Sequence, residues 1–277
     1  MHHVMLPTGE AVPALGQGTW QMAEVASRRD AEIAALRLGV ELGLALIDTA
    51  EMYGEGAAEE LVAEVIEGHR NEVFLVSKVY PHNASRRGVS QACERSLKRL
   101  KTDRLDLYLL HWRGSIPLQE TLAGFEDLLQ AGKIRDWGVS NFDQTDMHEL
   151  VHVQGGSACV TDQVLYNVTR RGPEFDLMPW MAQHRMPLMA YSPIEQGRLP
   201  TSGTLQRIAS KHGASPYQVA LAWLLGKPGV IAIPKAGRPE HVRDNHRAPA
   251  LRLDRDDLQQ LDTEFRPPAR KRPLEII

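Results

Sequence analysis

The sequence predicts an α/β chain closed into a (β/α)8 TIM barrel, with an N-terminal β-hairpin and two extra C-terminal helices, as one domain over residues 1–277. Three observations carry that expectation. Short apolar, β-rich runs alternate with longer amphipathic runs along most of the chain. Three of the short runs end on a charged or polar residue: 44–48 on Asp48, 73–78 on Lys78 and 105–111 on His111. Strands buried on both faces read as continuous apolar runs, and a barrel presents its chemistry at their C-terminal ends. The length of 277 residues suits one such barrel with additions.

The elements follow in order. Residues 4–6 and 11–14 flank the turn Pro7-Thr8-Gly9-Glu10 and read as a hairpin. Residues 15–19 are the expected first barrel strand. Ser27 is placed to cap a helix that turns Ile33, Leu36, Val40 and Leu44 toward a core. The second strand ends at Asp48, and helix 57–67 follows with Leu61, Val62, Val65 and Ile66 apolar. The third strand ends at Lys78. Helix 85–100 then carries Val89, Cys93 and Leu97 on one stripe. The fourth strand ends at His111, and helix Leu118–Gln130 stops near Gly132.

The second half repeats the theme. Strand 133–139 leads into Ser140-Asn141, and Asp143 caps the next helix. Strand 159–164 carries Gln163. Strand 187–190 leads into Tyr191-Ser192-Pro193. Helices 204–211 and Pro216–Leu225 follow, the second with Ser215 as cap and Pro216 in its first turn. Strand 230–233 leads into Pro234-Lys235, and short helices cover 240–246 and 255–265. The tail from Pro267 is proline-rich and basic, then apolar. It is either loosely packed or a short flap over the barrel mouth. Right-handed βα crossovers close such a chain into one barrel. The structural rival is a doubly wound open sheet. Against it, Gly16-Gln17-Gly18-Thr19-Trp20-Gln21 lacks the third glycine of a dinucleotide fingerprint.

Composition narrows the function classes. With 43% hydrophobic residues, 24% charged and a net charge of −3, nothing points to nucleic acid or an anionic membrane as a partner. Cys93 and Cys159 form no metal-ligand spacing and no disulfide framework. The N-terminus shows no signal-peptide core, and no run is long enough to span a membrane. The expectation is a cytoplasmic protein.

The chemistry-bearing residues each have a plain alternative. A loop tyrosine such as Tyr53 ordinarily serves packing. Its phenol is a weak acid near neutrality unless a cation sits beside it. Lys78 is that candidate cation, and Asp48 its partner in strand order. The plain reading is an ion pair inside the barrel mouth. His111 at a strand end is more often a satisfied core residue, yet a neutral imidazole there can orient a carbonyl oxygen. A metal-dependent barrel hydrolase would need ligand spacings such as His-x-His or His-Glu-x-x-His, and the chain has neither.

Taken together, the motifs resemble the aldo-keto reductase family over nearly the whole length. They are Asp48-Thr49-Ala50-Glu51-Met52-Tyr53-Gly54, Val76-Ser77-Lys78-Val79, and the run from Leu105 to Trp112. Gly132 to Phe142, Ala190-Tyr191-Ser192-Pro193 and Ile233-Pro234-Lys235 complete the set. Within the family the pattern is similar to bacterial reductases of the methylglyoxal-reductase type. The resemblance implies NADPH-dependent reduction of small aldehydes and ketones, with α-oxoaldehydes such as methylglyoxal favoured. It implies a catalytic tetrad of Asp48, Tyr53, Lys78 and His111. Tyr53 would be the general acid, Lys78 paired with Asp48 would depress its pKa, and His111 would orient the carbonyl. A channel-subunit role on the same scaffold, binding NADPH without turnover, is the non-enzymatic alternative.

The resemblance also assigns binding residues. Ser140, Asn141 and Gln163 would hold the nicotinamide carboxamide, and Tyr191 would stack on the ring. Ser192, Pro193, Gln196, Gly197 and Leu199 belong to the segment expected over the pyrophosphate, with Gly18, Thr19 and Trp20 in the same groove. Ile233, Pro234, Lys235, Ala236, Arg238, His241, Asp244 and Asn245 would take the adenosine end. Trp20, Tyr80 and Trp112 would form an apolar rim for the substrate. No metal is expected. At the coenzyme end the chain departs from pattern. Ala236 stands where relatives have serine, and His241 where they have arginine. A neutral imidazole lacks the guanidinium fork. NADPH preference with some NADH use is the expectation. The short connection after His111 and the short tail imply an open mouth. The family is often monomeric, and a monomer is expected.

Overall fold

The computed structural model describes residues 2–200 and 203–277. Strands β1 (His3–Met5) and β2 (Ala11–Pro13) pair antiparallel, Val4 opposite Val12. The eight strands that follow form one parallel sheet in chain order: β3 (Gln17–Gly18), β4 (Leu46–Asp48), β5 (Phe74–Val79), β6 (Leu105–Leu110), β7 (Ile134–Ser140), β8 (Asp162–Leu165), β9 (Leu188–Tyr191) and β10 (Val230–Ala232). The sheet curls until its edges meet. Leu15 bridges Ala232 and Gly18 bridges Lys235, both in parallel sense. Backbone bonds of 2.8 Å from Gly16 N to Ala232 O and from Ala232 N to Ala14 O stitch that seam. Gly18 is needed there: a Cβ on it would sit 2.8 Å from the Ile233 carbonyl oxygen.

Helices α1 (Arg29–Glu41), α2 (Ala57–Ile66), α3 (Arg86–Leu100), α4 (Leu118–Gln130) and α5 (Gln144–His152) each return the chain from one strand to the next. After β8 comes α6 (Leu177–Gln183). After β9 come α7 (Gly203–His212) and α8 (Pro216–Leu225). After β10 come α9 (Pro239–Arg247) and α10 (Arg255–Glu264). The caps explain several starts. Ser85 accepts from Gly88 N, and Asp143 and Ser215 each form a reciprocal capping box. Strand faces and helix stripes share one apolar core, in which Tyr108, Tyr166, Phe125 and Phe142 are fully buried. The hairpin plugs the N-terminal end of the strands. Val12 is buried, Thr8 bonds Asp136 and Glu10 pairs with Arg135, both near the start of β7. That leaves the opposite, C-terminal mouth for chemistry.

Some local expectations differ from the structure. Ser27 caps no helix, since it lies in a 3-10 turn over Ala26–Arg28 and α1 begins after it. Glu32 in the first turn of α1 instead accepts the N–H of Ala23 at 2.9 Å. Leu44 packs in the core from beyond α1, which ends at Glu41 before the left-handed Gly43. The first barrel strand pairs over two residues only, and the register of β8 starts at Asp162 rather than at Cys159. Short parallel pairings end where the tilted neighbours diverge, which apolar runs do not reveal.

Candidate active site

Register brings the strand-end residues together. Asp48 pairs with Val76 and Gly18 in neighbouring strands, and Lys78 with Leu109. Lys78 is wholly buried, and its Nζ donates to Asp48 Oδ2 at 2.7 Å, Thr49 O at 2.9 Å and Tyr53 Oη at 3.0 Å. An ammonium carries three protons, so all are satisfied. Tyr53 reaches this point from a tight turn: its N–H bonds Ala50 O, and Gly54, Glu55 and Gly56 all take positive φ. The tyrosine ring lies edge-on to His111 at 5.7 Å and to Trp20 at 5.0 Å.

Burial governs the titration of these groups. Desolvation pushes the Lys78 pKa down, opposed by the Asp48 carboxylate. It pushes His111 well below the usual imidazole value, with the Lys78 charge acting the same way. The Tyr53 phenol is raised well above its ordinary value, by burial first and by Asp48 second. The net shift of Tyr53 thus runs opposite to the depression expected from Lys78: burial and the Asp48 carboxylate outweigh the ammonium 3.0 Å from the phenol.

A second constellation adjoins the first. Ser140 Oγ donates to Gln163 O at 2.7 Å, Asn141 Nδ2 to His111 O at 3.1 Å, and Tyr191 Oη to Asn141 Oδ1 at 2.9 Å. Gln163 Nε2 donates to Asp48 Oδ1 at 2.8 Å, which joins the two groups. Asn141, Ser192, Glu195 and Gln196 all take positive φ, a concentration of backbone strain at the mouth. A cavity of about 540 Å³ runs from Trp112, His111 and Tyr53 past Tyr191 to Lys235, His241 and Asn245.

The model of the aldo/keto reductase family matches residues 14–264. The chain belongs to that family. As a member it is an oxidoreductase. The methylglyoxal reductase YeaE of Escherichia coli K12 is 51% identical over 272 residues, which cover 96% of each chain. A Klebsiella pneumoniae aldo/keto reductase, solved in complex with NADP and acetate, superposes with a TM-score of 0.97 at 49% identity over 99% of both chains. The thermostable aldo-keto reductase Tm1743, solved with the inhibitor epalrestat, gives 0.89 at 42% identity, covering 95% of this chain and 99% of that one.

Within this aldo/keto reductase the expected residues divide. Gly18, Trp20, Ser140, Asn141, Gln163, Tyr191, Ser192, Pro193, Gln196, Gly197, Ile233, Lys235, His241, Asp244 and Asn245 line the cavity, with Asp48, Tyr53, His111 and Trp112. Thr19, Leu199, Pro234, Ala236, Arg238 and Tyr80 do not. Thr19 is buried and spends its hydroxyl on Asp48 O, Pro234 O accepts from Gly18 N, and Leu199 and Ala236 are packed inside. Arg238 is exposed and lies 3.2 Å from His241 Nε2. Tyr80 stands behind the wall, against the rings of Trp112 and His111.

Sequence reading missed Gln21, Met52, Tyr217, Gly237, Ile276 and Ile277 as lining residues, while Ile194 lies in the loop from Pro193 to Leu199 that it did assign. Tyr217 was legible as the exposed residue after Pro216 at a helix start. Its hydroxyl donates to Gly197 O at 2.8 Å. The tail adopts the second of its two expected placements. Leu274 packs on the core, Glu275 pairs with Arg170, and Ile276 and Ile277 reach the cavity beside Tyr191.

The residues fit a nicotinamide dinucleotide phosphate. One end of the cavity offers amide and hydroxyl groups beside an aromatic ring, and the other offers Lys235 and His241 with Arg238 adjoining. Among the described residues no group of three or more His, Cys, Asp or Glu could hold a metal ion. No helix of the described residues is long and apolar enough to cross a membrane.

Proposed function

We propose that this chain reduces small aldehydes and ketones to alcohols with NADPH, α-oxoaldehydes such as methylglyoxal among them. The observation that carries the reading is the fully buried Lys78, bonded at once to Asp48 and to the Tyr53 hydroxyl, with His111 facing the same cavity. When bound, NADPH supplies the hydride. Ser140, Asn141 and Gln163 would hold the carboxamide, Tyr191 would pack against the ring, and Lys235, with His241 and Arg238 beside it, would take the 2′-phosphate.

His111 orients the carbonyl. Burial and the Lys78 charge keep its ring neutral. Its Nδ1 is buried with no hydrogen-bond partner among the described residues, so a proton there would be an unsatisfied donor. The proton therefore belongs on Nε2, which donates to the carbonyl oxygen. Tyr53 Oη gives that oxygen its proton as negative charge develops. A raised phenol pKa suits the task. The acid stays protonated at neutral pH and is in place to give its proton as negative charge develops on the oxygen. Lys78 Nζ, 3.0 Å from Oη, stabilises the phenolate that results.

Relatives bearing the methylglyoxal reductase name support the substrate class, and complexes with NADP support the coenzyme. The test is turnover of methylglyoxal against a bulky steroid ketone with NADPH. A higher kcat/KM for the small aldehyde is expected. NADPH binding without turnover of any aldehyde would refute the reading in favour of a binding protein.

A further inference from the structure

Glu51 lies between Asp48 and Tyr53 in sequence, and the mechanism above does not use it. Its side chain is 6% exposed. A carboxylate so placed must have partners. Its Oε1 accepts the Tyr80 N–H at 2.9 Å and Asn83 Nδ2 at 3.0 Å, and its Oε2 lies 3.4 Å from Arg95 Nη2. The charge thus ties the loop that carries Tyr53 to the 3-10 turn Pro81–Asn83 and the Tyr80 before it.

That turn supports the substrate end of the cavity. Tyr80 meets Trp112 edge-on at 5.5 Å and lies 6.4 Å from the His111 ring. His111 in turn lies 5.7 Å from Tyr53. The rings make a chain from the proton donor to the carbonyl orienter to Tyr80, and Glu51 joins the two ends of that chain through backbone and amide donors. None of its three partners lines the cavity.

We propose that Glu51 is a positioning residue for the carbonyl substrate. It fixes Tyr80, and through it His111 and Trp112, against the Tyr53 loop. The proposal rests on the reading of Tyr53 as acid and His111 as orienter. Displacing a reacting group by about 1 Å can cost about 10²-fold in rate.

The experiment compares wild type, Glu51→Ala, Glu51→Gln and Asn83→Ala with methylglyoxal and NADPH, and Tyr53→Phe alongside. In Glu51→Ala, kcat/KM should fall by about 10-fold or more with KM raised, while the NADPH Kd stays within about 2-fold of wild type. The deuterium isotope effect on hydride transfer should grow, because misplacement slows the chemical step. Glu51→Gln keeps an acceptor for both donors and should recover most of the loss. Asn83→Ala, which removes one half-buried contact, should show a smaller fall in the same direction. It keeps the test open if Glu51→Ala does not fold. Unchanged kcat/KM in the folded variants would overturn the proposal. So would a loss of NADPH affinity in step with kcat/KM. An inactive Tyr53→Phe beside an unaffected Glu51→Ala sinks this proposal alone, whereas an active Tyr53→Phe sinks the acid assignment beneath it.

Discussion

Replacing Tyr53 by phenylalanine removes one oxygen atom from the site. Its consequences can be worked from the contacts that remain. Lys78 keeps Asp48 Oδ2 at 2.7 Å and Thr49 O at 2.9 Å, so the buried ammonium loses one of three acceptors. The stability cost is that of leaving one donor of a buried charged group unpaired, about 1–3 kcal/mol or more. The ring contacts to Trp20 and His111 survive. Coenzyme binding should not change, because no carboxamide-side residue bonds the phenol. On the proposed mechanism the chemical step loses its proton donor. A positioned general acid contributes about 10²–10⁴-fold, and at about 1.36 kcal/mol per factor of ten the barrier rises by about 2.7–5.4 kcal/mol. The assay is NADPH oxidation with methylglyoxal, with coenzyme Kd and thermal unfolding measured on the same samples. Retention of more than about a tenth of the wild-type kcat/KM would refute the assignment. So would a fall in activity that merely tracked lost NADPH binding.

Three further outcomes follow from the same contacts. Asp48→Asn strips the counter-charge from a wholly buried ammonium, and breaking such a pair costs about 3–5 kcal/mol, read from the denaturant midpoint. Lys235→Ala removes a charge-assisted contact worth about 1.5–3 kcal/mol, so KM for NADPH should rise by about 10-fold or more while KM for NADH barely moves. A wild-type enzyme that prefers NADH would overturn that assignment. The pH dependence follows from His111, whose folded pKa lies well below 6.5 through burial and the Lys78 charge. Between that folded value and the unfolded value near 6.5 the unfolded chain binds more protons, so stability is full above about 6.5 and falls as pH drops below it. Melting curves should show that slope, and His111→Gln should flatten it.

The tetrad was legible because each member ends an apolar strand or follows one closely, and polar groups in such places have few plain explanations. The group proposed to hold the carboxamide was legible in part for the same reason: Ser140 ends its strand and Asn141 follows it, whereas Gln163 lies near the start of β8. What escaped had no local signature. Tyr80 follows its strand as Trp112 follows His111, yet one ring stands behind the wall and the other forms it. Only the turn over Pro81–Asn83 decides between them. Ile276 and Ile277 reach the cavity next to Glu275, whose ion pair is with Arg170, more than a hundred residues away in sequence. The sign of the Tyr53 shift comes from burial first and the Asp48 carboxylate second, and a list of charged neighbours does not contain the depth of a loop residue.

The two oxygens of Asp48 serve different partners. Oδ2 takes the Lys78 ammonium, and Oδ1 takes the amide of Gln163 at 2.8 Å. Gln163 also reaches Met189, and its backbone oxygen accepts from Ser140. A rigid path therefore runs from the Tyr53 hydroxyl through Lys78 and Asp48 to the residues proposed to hold the nicotinamide carboxamide. Hydride and proton must arrive at adjacent atoms of one carbonyl, so their donors need a fixed relative position more than either needs a particular pKa. A carboxylate that bonds both groups supplies that fixed position. It also explains why a buried ion pair is kept at a place where an apolar pair would pack at less cost.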